Sequence, residues 1–183
     1  ALVDERKPRE AEARKAAEAP FAEWLVAQAK AVAKGFSAWH PLRASTLESV
    51  EGTRLEQNAE DIVQASGPNP NHEDYRVIGP VKLPRVTGLK LEVLPHASHT
   101  GGGLSRGKSG EFILTDIKVQ VRRRGSAQIR DVLVTGAVAD VSAESKDARS
   151  YGDIKGVLDD DPRNGWTTKG HDPKQPHTGV LDR

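Results

Sequence analysis

Hydrophobic and polar positions along this chain fall into two textures that meet near residue 36. From Asp4 to Ala19, alanine and charged residues occupy every side of a helical wheel, with one proline and no large apolar side chain among them. That pattern predicts a solvated helix supported by i,i+4 pairs such as Glu10 with Arg14. Pro20 has no N–H to donate and crowds the preceding turn, so a break or kink is expected there. Beyond it Phe21, Trp24, Leu25, Val32 and Phe36 recur at helical spacing. The stripe predicts a second helix with one apolar face, which should dock on the following domain or a neighbouring one. Residues 1–36 therefore read as a helical linker kinked near Pro20, and residues 37–183 as a β domain.

From Gly35 onward short apolar runs alternate with Gly, Pro and Asn turns. The runs lie around residues 43–50, 62–65, 75–78, 86–94, 111–121, 129–138 and 177–181. Leu89, Leu91 and Val93 alternate along one of them. In another, Ile113, Thr115, Ile117, Val119 and Val121 share one face at period two, which is strand periodicity. Several short strands at this spacing predict an all-β sandwich or barrel rather than βαβ units.

That second strand decides how the glycine-rich run before it is read. Gly102, Gly107, Lys108 and Ser109 satisfy the P-loop pattern G-x-x-x-x-G-K-[ST]. A phosphate-binding loop needs a helix immediately after it, whose N-terminal amides and dipole hold the phosphates. A strand is expected here instead, so the run reads as a loop entering the sheet, and no nucleotide is expected.

Charge and composition narrow the functional classes. Lys and Arg total 27 against 26 Asp and Glu, a formal charge of +1, which gives no long-range attraction to nucleic acid or an anionic membrane. Arg122, Arg123, Arg124 and Gly125 sit between two strand-like runs and read as a solvated hairpin turn. The absence of cysteine rules out disulfides, thiolate metal sites and c-type haem attachment within this sequence. No apolar run is long enough to span a bilayer as a helix. Without an initiator Met, and with an abrupt end at Arg183, the chain reads as a piece of a longer polypeptide.

A family resemblance rests on an ordered series of segments: FAEW at 21–24, WHPL at 39–42, IVQASG at 62–67 and DYRV at 74–77. LKLEVLP at 89–95, GGGLSR at 101–106 and GEFILTD at 110–116 continue it. The series resembles the central region of large secreted planctomycete-type proteins that carry a cytochrome c-like domain and flanking domains of unknown function. The resemblance implies a galactose-binding-like, discoidin-type β-sandwich (a jelly roll), incomplete here, whose missing C-terminal strands come from a continuation or a separate chain. It also implies a periplasmic or extracellular location. Residues 158–166, LDDDPRNGW, are similar to the turn of discoidin-like domains that helps hold a structural calcium and buries its Trp. Asp159, Asp161 and Asn164 are the implied calcium ligands and Trp166 the buried aromatic. Asp160 stands where the family has glycine, and Asn164 where it has threonine.

Other chemistry is sparse. His96 and His99 lie in a Pro/Gly loop with no recognisable third ligand for zinc, and His171 and His177 add none; His177 reads as a structural hydrogen-bonding residue. No nucleophile elbow, Ser/His/Asp signature or paired-carboxylate motif stands out. Sugars are commonly held on an aromatic platform, and Trp39, Tyr75 and Tyr151 are the available aromatics, each also suited to packing. Two readings follow: a non-catalytic accessory module that binds carbohydrate or another surface ligand, and a spacer that positions neighbouring catalytic or cytochrome domains with no ligand of its own.

Overall fold

A computed structural model describes residues 2–35, 37–143 and 150–182, with side chains from Pro8 onward. The chain divides into two compact units, 1–41 and 42–183. Phe36, the last residue of the expected apolar stripe, lies outside the described residues.

The first unit is one helix, α1 (Leu2–Ala33), with Pro8 and Pro20 inside it. The expected separate second helix is corrected: α1 runs unbroken through Pro20. A buried helix would leave the carbonyl of Ala16 without a donor, at a cost of about 3 kcal/mol. Here Ala16 and its neighbours are exposed, so water can satisfy that carbonyl, and alanine-rich turns on both sides favour continuation. Phe21, Trp24, Leu25 and Val32 are all exposed, and the Phe21 and Trp24 rings stack at 5.8 Å.

The second unit is mainly β, with twelve short strands among the described residues: β1 (Thr46–Ser49), β2 (Arg54–Gln57), β3 (Val63–Ser66), β4 (Tyr75–Ile78), β5 (Gly88–Val93), β6 (Ile113–Leu114), β7 (Val119–Arg122), β8 (Ile129–Val132), β9 (Gly136–Ala139), β10 (Tyr151–Gly152), β11 (Gly165–Thr167) and β12 (His177–Asp182). Three antiparallel pairs stand as two-stranded ribbons: β1 with β4, β2 with β3, and β7 with β8. Two sheets have three strands. In one, β12 lies between β5 and β9, antiparallel to both; in the other, β11 lies between β10, parallel, and β6, antiparallel. The single strand expected over 111–121 is broken in two. The backbone of Ile117 leaves the ladder to donate to the carbonyl of Val157, on the 3₁₀ helix Ile154–Leu158.

These two sheets and the 3₁₀ helix share one core. Val93, Ala137 and Leu181 come from the β5–β12–β9 sheet, Trp166 from β11, Ile154 and Val157 from the 3₁₀ helix, and Leu104 from the glycine-rich loop. Trp166 has no exposed surface, donates its indole N–H to the carbonyl of Val141 at 2.9 Å, and meets Phe112 edge to face at 5.6 Å. Gly179, central in β12, makes room for this layer: a Cβ there would lie 2.5 Å from Ile154 Cδ1 and 3.3 Å from Trp166 Cζ3.

Candidate functional site

The Asp159 turn follows the 3₁₀ helix directly and leads into β11, so it is fixed at both ends. Asp160 takes the left-handed backbone conformation, with φ of 60°, a region that favours glycine. Asp159 Oδ1 accepts the N–H of Asp161 at 3.0 Å, and its Oδ2 accepts the amide of Asn164 at 2.8 Å. Asp161 accepts a two-pronged contact from Arg163, Nε at 2.8 Å and Nη2 at 2.7 Å, as well as the Arg163 N–H at 3.0 Å. Asp161 is the first cause, by hydrogen bond and then by charge, that raises the Arg163 pKa above its ordinary value. Asp160 Oδ1 sits 2.9 Å from Lys118 Nζ, and that carboxylate, with Asp116, raises the lysine pKa. Asn164 Oδ1 is buried without a hydrogen-bond partner and faces Gly156, where a Cβ would lie 2.9 Å from it.

The three residues expected to hold calcium are thus brought together in one turn. Their side-chain oxygens are already engaged by protein donors, apart from Asn164 Oδ1. Calcium requires six to eight oxygens. Among the described residues no three His, Asp or Glu side chains converge as a metal-holding group. An ion entering this turn would have to take Asp161 from Arg163.

The glycine-rich run is a folded loop. Thr100 N–H bonds to Ser105 O at 3.1 Å, and the N–H groups of Leu104 and Ser105 share the carbonyl of Gly110. Leu104 anchors the loop in the core, and Arg106 ties its far side to the segment after β3, donating to Gly67 O and Pro68 O at 2.9 Å each. Extended chain and β6 follow Gly110, with no helix at the position a phosphate loop requires.

Four of the six histidines form two ring pairs, His96 with His99 and His171 with His177. His96 and His99 lie edge to face at 5.6 Å; His96 Nδ1 contacts Ser98 Oγ at 2.7 Å and His99 Nδ1 the carbonyl of Gly103 at 2.9 Å. His177 is buried at the start of β12. Its Nδ1 faces Asp140 at 3.3 Å and its Nε2 faces the carbonyl of Asp172 at 3.1 Å, while the other oxygen of Asp140 accepts the Thr178 N–H. His177 therefore ties β9, β12 and the 172 turn together.

The aromatics form no common platform among these contacts. Tyr75 lies exposed on β4 and Tyr151 on β10, in different sheets, with Tyr151 Oη donating to Pro162 O at 3.1 Å. Trp39 belongs to the first unit and is 40% exposed.

One organising residue gave no sequence signal. Glu73 lines a shallow cleft of about 110 Å³ with Val50, Glu51, His72 and Asp74. Its carboxylate accepts Glu51 N–H at 2.9 Å, Ser49 Oγ at 3.0 Å and Thr53 N–H at 3.3 Å, clamping the turn between β1 and β2. Desolvation pushes its pKa up, but these hydrogen bonds outweigh it and hold the carboxyl down from 4.5 to about 2. No family model matches the chain, and neither a curated protein nor a solved structure matches it.

Proposed function

We propose that this chain is a non-catalytic docking module, whose small β core carries apolar and charged surfaces to other protein domains. One observation carries the reading: among the described residues, more large apolar side chains are exposed than buried. Val50, Tyr75 and Val77 on and beside the β1–β4 ribbon are among them, as are Phe21, Trp24, Leu25 and Val32 on α1. Exposed apolar surface of that extent is characteristic of proteins that bury it against partners. The architecture proposed for the second unit is the galactose-binding-like sandwich of the resemblance; the shared core of the two three-stranded sheets supports it. Placement in a larger periplasmic or extracellular protein belongs to the same proposal.

Carbohydrate binding is the second reading, favoured by the exposed Tyr75 and Trp39 rings. Two measurements separate them. The docking reading expects concentration-dependent association of the chain in sedimentation, reduced when Phe21, Trp24 and Leu25 are changed together to Ser, and no signal on a glycan array. Saturable glycan binding lost in Tyr75→Ala, by a chain that stays monomeric, would replace docking with the sugar reading.

A further inference from the structure

The β7–β8 ribbon combines two features that the core does not use. The first is charge. Arg122, Arg123, Arg124 and Arg130 fall within the ten residues 122–131, where Asp131 is the only acidic residue. All four arginines are exposed. The side chains of Arg122, Arg123 and Arg124 have no hydrogen-bond or ion-pair partner among the described residues, and that of Arg130 reaches only Gln128 Oε1 at 3.3 Å. The one carboxylate, Asp131, accepts the amide of Gln120 at 2.8 Å. The second feature is an open edge. Among the described residues β7 pairs only with β8, so its outer backbone groups meet no other described strand, and Val121 and Ile129 are more than half exposed beside the arginines.

We infer that the outer edge of β7 binds an extended, acidic peptide segment of a partner protein, which adds a third strand to the ribbon and places its carboxylates on Arg122, Arg123 and Arg124. A free strand edge supplies main-chain hydrogen bonds, and flanking side chains select the peptide. Arginine suits the selecting role because its planar fork takes a carboxylate on two donors. Val121 and Arg122, neighbours on β7 and so on opposite faces of the ribbon, fit a peptide whose acidic positions alternate with apolar ones. A simple polyanion would use the arginines but have no use for the edge.

The proposal deepens the docking reading by naming one surface and its partner, and it depends on that reading only for the presence of a protein partner. The test is fluorescence anisotropy of the whole chain with a labelled peptide of alternating Glu and Val. A second peptide is N-methylated at alternate residues, and single-stranded oligothymidylate and a sulfated polysaccharide serve as polyanion controls. Saturable binding of the first peptide is expected, weakened at least tenfold by Arg122→Ser with Arg124→Ser and by N-methylation, and weakened by salt. Arg130→Lys, which keeps the charge, should keep most of the affinity. Equal binding of the methylated peptide or of either polyanion overturns the proposal in favour of plain electrostatic attraction. Absence of peptide binding at low salt overturns it too, and if the double variant then self-associates, the arginines serve to keep an edge from pairing. Neither negative outcome touches the association measured through α1, so the docking reading can survive without this surface.

Discussion

Gly179 occupies the middle of a strand, a position where glycine is ordinarily unfavourable, because two side chains of the facing layer need its volume. The methyl of an alanine would come within 2.5 Å of Ile154 Cδ1. Gly179→Ala should therefore destabilise the second unit by about 1–3 kcal/mol in urea denaturation, as overpacking does. Ile154→Val removes the clashing carbon, so the alanine should cost clearly less in that background; equal costs in both would show that the strand backbone, not the Ile154 contact, is responsible. Glu73 yields a prediction in pH. Its carboxyl is held near 2, below the ordinary 4.5, so its contribution is complete above 4.5 and is lost as pH falls from 4.5 towards 2. Glu73→Gln should flatten that part of the acid limb and leave the slope above pH 5 unchanged. An unchanged acid limb would mean that other carboxylates carry it. The burial of Trp166 is expected only through the resemblance of residues 158–166 to a discoidin-like turn. Glu73 is not legible in the sequence, because two of its partners are backbone N–H groups that any sequence possesses.

Among the elements, legibility followed length and alternation. The strand run at 75–78 coincides with β4, and the runs at 86–94 and 177–181 contain or nearly match β5 and β12. β11 escaped notice because its three residues, Gly165, Trp166 and Thr167, are all buried and so show no alternation. The period-two run at 111–121 misled in the other direction. Of its expected apolar face only Ile117 packs against the core, while Ile113 and Val121 are exposed and Phe112 and Leu114 pack inward instead; the backbone between β6 and β7 bonds to the 3₁₀ helix rather than to a strand. Pro20 did not end the helix, because on an exposed stretch water can satisfy the carbonyl of Ala16. The Asp159 turn was found by resemblance, yet the partner that dominates it, Arg163, lies two residues from Asp161 and has no part in that resemblance. That pair makes calcium a competitor of arginine. Arg163→Ala should allow calcium to raise the melting temperature more than it does in the parent chain, measured against a chelator. Equal responses in the two proteins would remove Asp161 from any calcium account.

Across the second unit, stability should be unevenly distributed, since burial is. Every residue of the buried apolar core lies between Val93 and Leu181, whereas β4 has no buried or half-buried residue and β7 has only Val119 half-buried. Segments with few buried apolar contacts open at lower free energy than the global transition. The β5–β12–β9 sheet has hydrogen bonds on both sides of β12 and Leu181 at 2% exposure beneath it. Amide exchange should therefore be slowest in β12 and β11, and fast in β4, β7 and β8. Leu181→Ala should accelerate exchange in β5, β9 and β11 together, because it removes about 2–5 kcal/mol from their common core. The β1–β4 and β7–β8 ribbons should barely respond to it, already opening by local routes. Slow exchange throughout β4 and β7, falling in step with the core in Leu181→Ala, would show instead that the ribbons belong to one cooperative unit. In that case the exposed apolar side chains would be part of a stable surface rather than edges awaiting a partner.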